Sequence, residues 1–186
     1  MWWLTPPDRP RALQLPRLLY EQALAVNRNP PMRLDWKSRG VYYAERDSYP
    51  TWYPGPFTGR VVMDVGAGCG ETADYFLKHG AKFVIAIEPD EKKASLLRAN
   101  MKGRPVYILQ ERFALWMLSL PHDYLKFDAE GAESLLLDYE SSLGPCAIET
   151  HATLSKRKNI ASALCARFGL RVYARVSPTS WILGKP

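Results

Sequence analysis

The chain is poor in the residues that staple small extracellular proteins together. It holds three cysteines in 186 residues, Cys69, Cys146 and Cys165, far apart and without a Cys-x-x-Cys pair. Neither a disulfide framework nor a thiolate zinc site is expected, and the thiols are expected to be reduced in a cytoplasm. No apolar run reaches the eighteen or so residues that cross a bilayer. The opening Met1-Trp-Trp-Leu-Thr-Pro-Pro has no basic segment followed by a long apolar core, so neither a membrane span nor an export signal is expected. There is no internal repeat and no low-complexity tract. Acid is absent from the last fifth of the chain: after Glu149 there is no Asp or Glu, while Lys156, Arg157, Lys158, Arg167, Arg171, Arg175 and Lys185 contribute +7 to a net charge of +6. That asymmetry suits a phosphate-bearing acceptor such as RNA, an anionic glycan or a lipid head group. It equally suits a solvated basic helix, and no nucleic-acid motif accompanies it.

What is present is the pattern of a single α/β domain, and a chain of this length can bury about 70% of its unfolded surface. Apolar runs near 61–65, 82–88, 105–110, 123–128, 145–150, 171–176 and 180–184 read as strands. Helical patterns near 71–79, 90–101, 132–142 and 156–168 separate them. This alternation predicts a Rossmann-like, mostly parallel seven-stranded sheet covered by helices. The last two runs follow each other without a helix, with Pro178 in the turn, as an antiparallel C-terminal pair would. Residues 1–57 form a separate helical and aromatic extension, read as a lid or substrate element before a domain over 58–186. Leu13, Leu15, Leu18, Leu19, Ala23 and Ala25 around Pro16 predict one broken or two short helices over 11–26. Asn27-Arg-Asn-Pro-Pro31 stops them, Val41-Tyr-Tyr reads as a short strand, and Tyr49 to Phe57 is a turn-rich aromatic linker that either covers a pocket or seals a sheet edge.

Val61-Val-Met-Asp64-Val-Gly66-Ala67-Gly68-Cys-Gly70 is the most specific stretch. An apolar strand that ends in an acid and breaks into alternating glycines makes a tight turn into a helix whose N-terminus opens on a ligand pocket. The next apolar run ends in Glu88, an acid placed to accept hydrogen bonds from both hydroxyls of a ribose. Asp64 stands where dinucleotide enzymes keep room for a pyrophosphate, so a cationic ligand is expected there instead. The cofactor with adenosine at one end and an ammonium and a sulfonium at the other is S-adenosyl-L-methionine.

Asp64-Val-Gly-Ala-Gly-Cys-Gly-Glu, Ala86-Ile-Glu88-Pro89-Asp90, Leu97-Arg-Ala-Asn100, Leu125-Lys-Phe-Asp128-Ala-Glu130-Gly-Ala-Glu133 and Cys146-Ala-Ile-Glu149-Thr-His151 occur in that order. In this phrasing, residues 60 to 151 resemble the FkbM-type methyltransferases of class I. The resemblance implies methyl transfer from S-adenosylmethionine to a hydroxyl oxygen, often on a sugar or secondary metabolite. It also implies that Asp64, Gly66, Ala67, Gly68, Gly70, Glu88 and Pro89 surround the cofactor. In class I methyltransferases an acid just past the third strand accepts from the adenine amine. Glu111 occupies the matching place, with Arg112 beside it, although the usual dipeptide there is Asp-Ala and the two can instead pair on the surface. Phe113, Leu115, Trp116 and Leu118 are candidates either for an adenine wall or for core.

A parallel-sheet site forms at the carboxyl ends of its strands, which gathers Asp128, Glu130, Glu149 and His151 as the expected acid–base cluster. His151 is the preferred base, because an imidazole titrates near neutrality. The same groups could hold a divalent cation, an arrangement ranked below direct base catalysis because oxygen-rich strand ends are common without metal. His122 falls at the opposite sheet edge, His79 caps the first helix, and Glu133 is expected to cap a helix. The chain leaves little room for a separate acceptor domain, so residues 1–57 or a second subunit of a homodimer are expected to complete the acceptor site. Two alternatives stay open: an RNA methyltransferase that uses the basic C-terminal stretch, and a non-catalytic module that binds S-adenosylmethionine.

Overall fold

The computed structural model describes residues 45–151 and 159–185. The helices expected over 11–26, the strand at 41–43 and the basic run 156–158 lie outside the described residues. Seven strands form one sheet in the order β3-β2-β1-β4-β5-β7-β6: β1 Val61–Val65, β2 Phe83–Ile87, β3 Val106–Leu109, β4 Tyr124–Phe127, β5 Cys146–His151, β6 Arg171–Ser177 and β7 Ser180–Lys185. Strands β1 to β5 pair in parallel, and β7 runs antiparallel to both β5 and β6. The expected mostly parallel sheet with its C-terminal antiparallel pair is therefore present, with Pro178 and Thr179 in the connecting turn.

Period-two alternation builds the core on both faces of this sheet. Met63, Val65, Ile85, Ile87, Leu125, Phe127 and Ile148 pack on one face, while Val62, Val84, Ala86, Tyr124 and Ala147 pack on the other. Full burial on both faces explains why these strands read as continuous apolar runs. The aromatic linker belongs to the second face. Its helical turn α1, Tyr49–Trp52, is followed by Tyr53 and Phe57, and the Phe57 ring meets Phe76 at 5.0 Å and Tyr124 at 5.1 Å.

Two helices tie the glycine turn down. Helix α2, Glu71–Lys78, begins directly after Gly70, whose φ of 103° belongs to the left-handed region. A Cβ on Gly70 would meet the Leu97 Cδ1 side-chain end at 2.9 Å, but it is the left-handed φ that calls for glycine here. Helix α3, Glu91–Asn100, starts at an Asp90 cap whose Oδ1 accepts from the Lys93 N–H at 2.9 Å. It ends at the buried Asn100, whose Nδ2 donates to the Cys69 carbonyl at 2.8 Å. Helix α4, Ile160–Phe168, covers the sheet near β7.

One element differs from expectation. In place of a helix over 132–142, Ala132–Asp138 winds as a 3₁₀ segment and Tyr139 is already extended. The 3₁₀ period stacks residues three apart, and here it turns Glu133 and Leu136 inward together, both buried. Among the described residues no helix is long and apolar enough to cross a membrane.

Candidate active site

The chain leaves β1, crosses to β2 and β3 on one side, and returns to β4 on the other. The carboxyl ends of β1 and β4 therefore form a topological switch point, where open parallel sheets bind ligands. A cavity of about 620 Å³ lies there. Gly66, Ala67, Gly68, Glu88, Pro89 and Arg112 line it from the β1–β3 side, and Asp128 and Glu130 from β4. Glu45, Tyr49 and Tyr53 of the N-terminal segment complete the wall, so that segment both covers the cavity and packs in the core.

The glycine turn runs directly against the chain leaving β4. Gly66 has φ +73°, and a Cβ there would overlap the Asp128 carbonyl oxygen. Glu88 accepts the Gly68 N–H on Oε2 and the Asp90 N–H on Oε1, both at 2.9 Å. Each oxygen keeps a further lone pair on a residue that faces the cavity. Glu71, at the first position of α2, also lines the cavity. Burial pushes its carboxyl above the ordinary range, against hydrogen bonding from the Glu71 and Cys69 backbone N–H groups. The N-terminus of α2 is thus occupied by a carboxyl group of the chain itself.

Asp64 lies elsewhere than expected. It is fully buried and does not line the cavity. Thr72 Oγ1 donates to its Oδ2 at 2.6 Å, and Lys126 Nζ stands 3.1 Å from its Oδ1. Lys126 also donates to the carbonyls of Gly66 at 2.7 Å and Val65 at 3.2 Å, and lies 3.8 Å from Asp128 Oδ2. Burial alone would lower the Lys126 pKa, but Asp64 and Asp128 outweigh it and hold the ammonium above its ordinary value. Asp64 is therefore neutralised inside the protein, and Lys126 was not foreseen. Glu111 is exposed and does not line the cavity, whereas its neighbour Arg112 does. Of the connector apolar residues, Phe113 alone reaches the cavity wall, with its ring edge-on to Phe127 at 4.8 Å; Leu118 is core and Trp116 is exposed.

Asp128, Glu149 and His151 do come together. His151 Nε2 lies 3.5 Å from Glu149 Oε1 and 3.7 Å from Asp128 Oδ1. Ser180 Oγ, across the antiparallel β5–β7 pair, donates to Glu149 Oε1 at 2.6 Å. Glu130 sits exposed on the cavity wall with φ 40°. The residue that sequence reasoning missed is Glu133, whose Oε1 contacts His151 Nδ1 at 2.6 Å. The same oxygen accepts the Gly131 N–H at 3.0 Å, as a cap would, while Oε2 is buried without a partner. Its spacing to Leu136, both apolar-facing in a 3₁₀ turn, was the available signal.

The Glu133 hydrogen bond raises the His151 pKa above its ordinary value; burial opposes it, and the charges of Asp128, Glu133 and Glu149 add to it. Burial, then Asp128, raises Glu149. Ligand atoms of Asp128, Glu149 and His151 lie within 4.8 Å of one another, but the Lys126 ammonium beside Asp128 already supplies positive charge to this cluster. The other histidines hold backbone: His79 Nδ1 bonds the Tyr75 carbonyl at 2.8 Å, and His122 Nδ1 that of Leu120 at 2.7 Å. Burial raises all three thiols, Cys146 to about 11, which makes them poor nucleophiles.

No family model matches the chain. Over 79 residues it is 38% identical to the Arabidopsis thaliana protein named "Probable histone-arginine methyltransferase 1.3", a match that covers 41% of this chain. The match spans 13% of the length of that curated relative. Among solved structures it is similar to precorrin-6y C5,15-methyltransferase from Geobacter metallireducens GS-15, with TM-score 0.56 and 16% identity over 84% of this chain and 98% of that one. It is also similar to a candidate RNA methyltransferase from Pyrococcus horikoshii, with TM-score 0.55 and 16% identity over 90% of this chain and 96% of that one. The fold is that of the Rossmann-like methyltransferases.

Proposed function

We propose that the chain is an S-adenosylmethionine-dependent methyltransferase acting on a hydroxyl of a small molecule or glycan, in the manner of the FkbM-type enzymes. The observation that carries the cofactor is the placing of two carboxylates on one cavity wall. Glu88 offers free lone pairs to a ribose, and Glu71 fills the helix N-terminus where a dinucleotide would seat its pyrophosphate. An anionic ligand is repelled at that end and an ammonium or sulfonium is attracted. The hydroxyl acceptor rests on the motif phrases from Leu125 to Glu133 and from Cys146 to His151.

When bound, S-adenosylmethionine supplies a methyl group activated by its sulfonium. The chain contributes position and a proton acceptor. Asp128 faces the cavity and His151 Nε2 stands behind it at 3.7 Å, so this pair holds the acceptor hydroxyl and takes its proton as the oxygen becomes nucleophilic. Tyr49, Tyr53 and Glu45 form the acceptor side of the wall.

A labelled methyl-transfer screen against glycans, small alcohols, lipids and RNA, with S-adenosylhomocysteine and NAD titrated by calorimetry, tests this reading. Transfer to a hydroxyl compound is expected. An NAD isotherm without S-adenosylhomocysteine binding would remove it. RNA is kept as a second acceptor class on the acid-free basic stretch after Glu149, and the same screen resolves it.

A further inference from the structure

We propose that Glu133 is the positioning residue for His151, fixing its imidazole with Nδ1–H toward the buried carboxylate and the Nε2 lone pair toward Asp128 and Glu149. This rests on the reading that an acceptor loses its proton at this cluster, but the pairing itself is measurable without any transfer.

Three carboxylates face the ring from three elements: Glu133 from the 3₁₀ segment, Asp128 from the chain leaving β4, and Glu149 from β5 itself. Lys126, from β4, reaches the far oxygen of Asp128, and Glu45 acts on Glu149 through its charge. Only one contact has hydrogen-bond length, 2.6 Å at Nδ1, against 3.5 and 3.7 Å at Nε2. Charge-assisted bonds of that length are the strong ones. The Glu133 side chain is fully buried, and the Gly131 N–H holds its Oε1 from the other side, so no water competes for the oxygen that the imidazole uses. A neutral imidazole has one donor and one acceptor nitrogen. With Nδ1 bound to a carboxylate, the proton resides there and the lone pair resides on Nε2, the nitrogen nearest the cavity-lining Asp128. Glu133 then sets which nitrogen receives the acceptor's proton, although it touches neither acceptor nor cofactor. A purely structural Glu133, capping the 3₁₀ segment through Gly131, would affect stability and leave the ring's proton chemistry alone.

Ring nitrogen NMR across a pH titration decides between the two roles, with His151 assigned by the His151→Gln variant against His79 and His122. The parent protein is expected to show the Nδ1–H tautomer when neutral and a protonation midpoint above about 6.5. Glu133→Gln, whose amide oxygen preserves the hydrogen bond without the charge, is expected to lower that midpoint by about one pH unit or more. The acid limb of kcat should move down with it. An unchanged midpoint in Glu133→Gln overturns the proposal. If that variant does not fold, the parent spectrum decides alone, because an Nε2–H tautomer contradicts the assignment. Failure of the methyltransferase reading would appear differently, as no transfer by the parent protein with the tautomer intact.

Discussion

Lys126 and Asp64 are side-by-side residues of neighbouring parallel strands, and their charges meet at 3.1 Å with both side chains buried. Removing one partner strands the other without water. Lys126→Met is expected to destabilise the fold by about 3–5 kcal/mol, and the double variant Asp64→Asn/Lys126→Met by clearly less. Urea unfolding of the parent, Asp64→Asn, Lys126→Met and the double variant measures this. A double-variant loss equal to the sum of the two single-variant losses would mean that the two charges do not interact.

Glu88→Ala is expected to weaken S-adenosylhomocysteine binding by about 2–4 kcal/mol. Calorimetry on a variant with unchanged circular dichroism tests it. Because Glu88 also holds the Gly68 and Asp90 N–H groups, part of the loss should appear as a looser glycine turn, visible as faster amide exchange at Gly68. Unchanged affinity would contradict the ribose assignment.

His151→Gln should lower turnover by roughly 10²- to 10⁴-fold with little change in cofactor affinity. Activity is expected to survive a chelator, since the proton goes to a side chain. Complete loss in chelator with recovery on adding magnesium or manganese would reassign the cluster.

Stability and turnover should move in opposite directions with pH. The His151 pKa is raised in the fold by Glu133, then by the charges of Asp128, Glu133 and Glu149. The pairing therefore contributes its full stability below the unfolded value, about 6.5, and loses it as pH rises through the folded midpoint. Turnover, which needs the neutral ring, should climb over the same interval. Glu149, raised by burial, acts in the same sense on stability from about pH 4.3 upward. Thermal melts and kcat measured across pH 5 to 9 would reveal a parallel trend, contrary to this assignment, if the ring were not the proton acceptor.

Salt separates the two acceptor classes. If the basic stretch contacts RNA phosphates, replacing Lys156, Arg157 and Lys158 by Gln should flatten log K against log salt by about two to three units. A glycan or metabolite enzyme should show no such slope. Filter binding at several salt concentrations discriminates between them.

The strands were legible because two-sided burial writes itself as apolar runs, and the position of Glu88 on the cavity wall was legible because an acid ending a parallel strand stands at the carboxyl edge where such cavities form. Asp64 was misread because its partner lies sixty-two residues downstream, and only sheet register makes them neighbours. Glu133 carried a local spacing that also fits a cap. Nothing local shows that a 3₁₀ turn would rotate it toward a histidine on the next strand. Past the end of β3 the alternation no longer applies, which is how Glu111 ended outside the cavity and Arg112 inside.

The bond between Ser180 and Glu149 joins residues thirty-one positions apart. Because β7 lies between β5 and β6 in the sheet, the restraint on Glu149 depends on this last strand in sequence being seated beside β5. A chain cut before Ser180 would leave β5 as a bare sheet edge and Glu149 without its hydroxyl partner, so an intact C-terminal strand is a condition for the Asp128–Glu149–His151 cluster to keep its geometry.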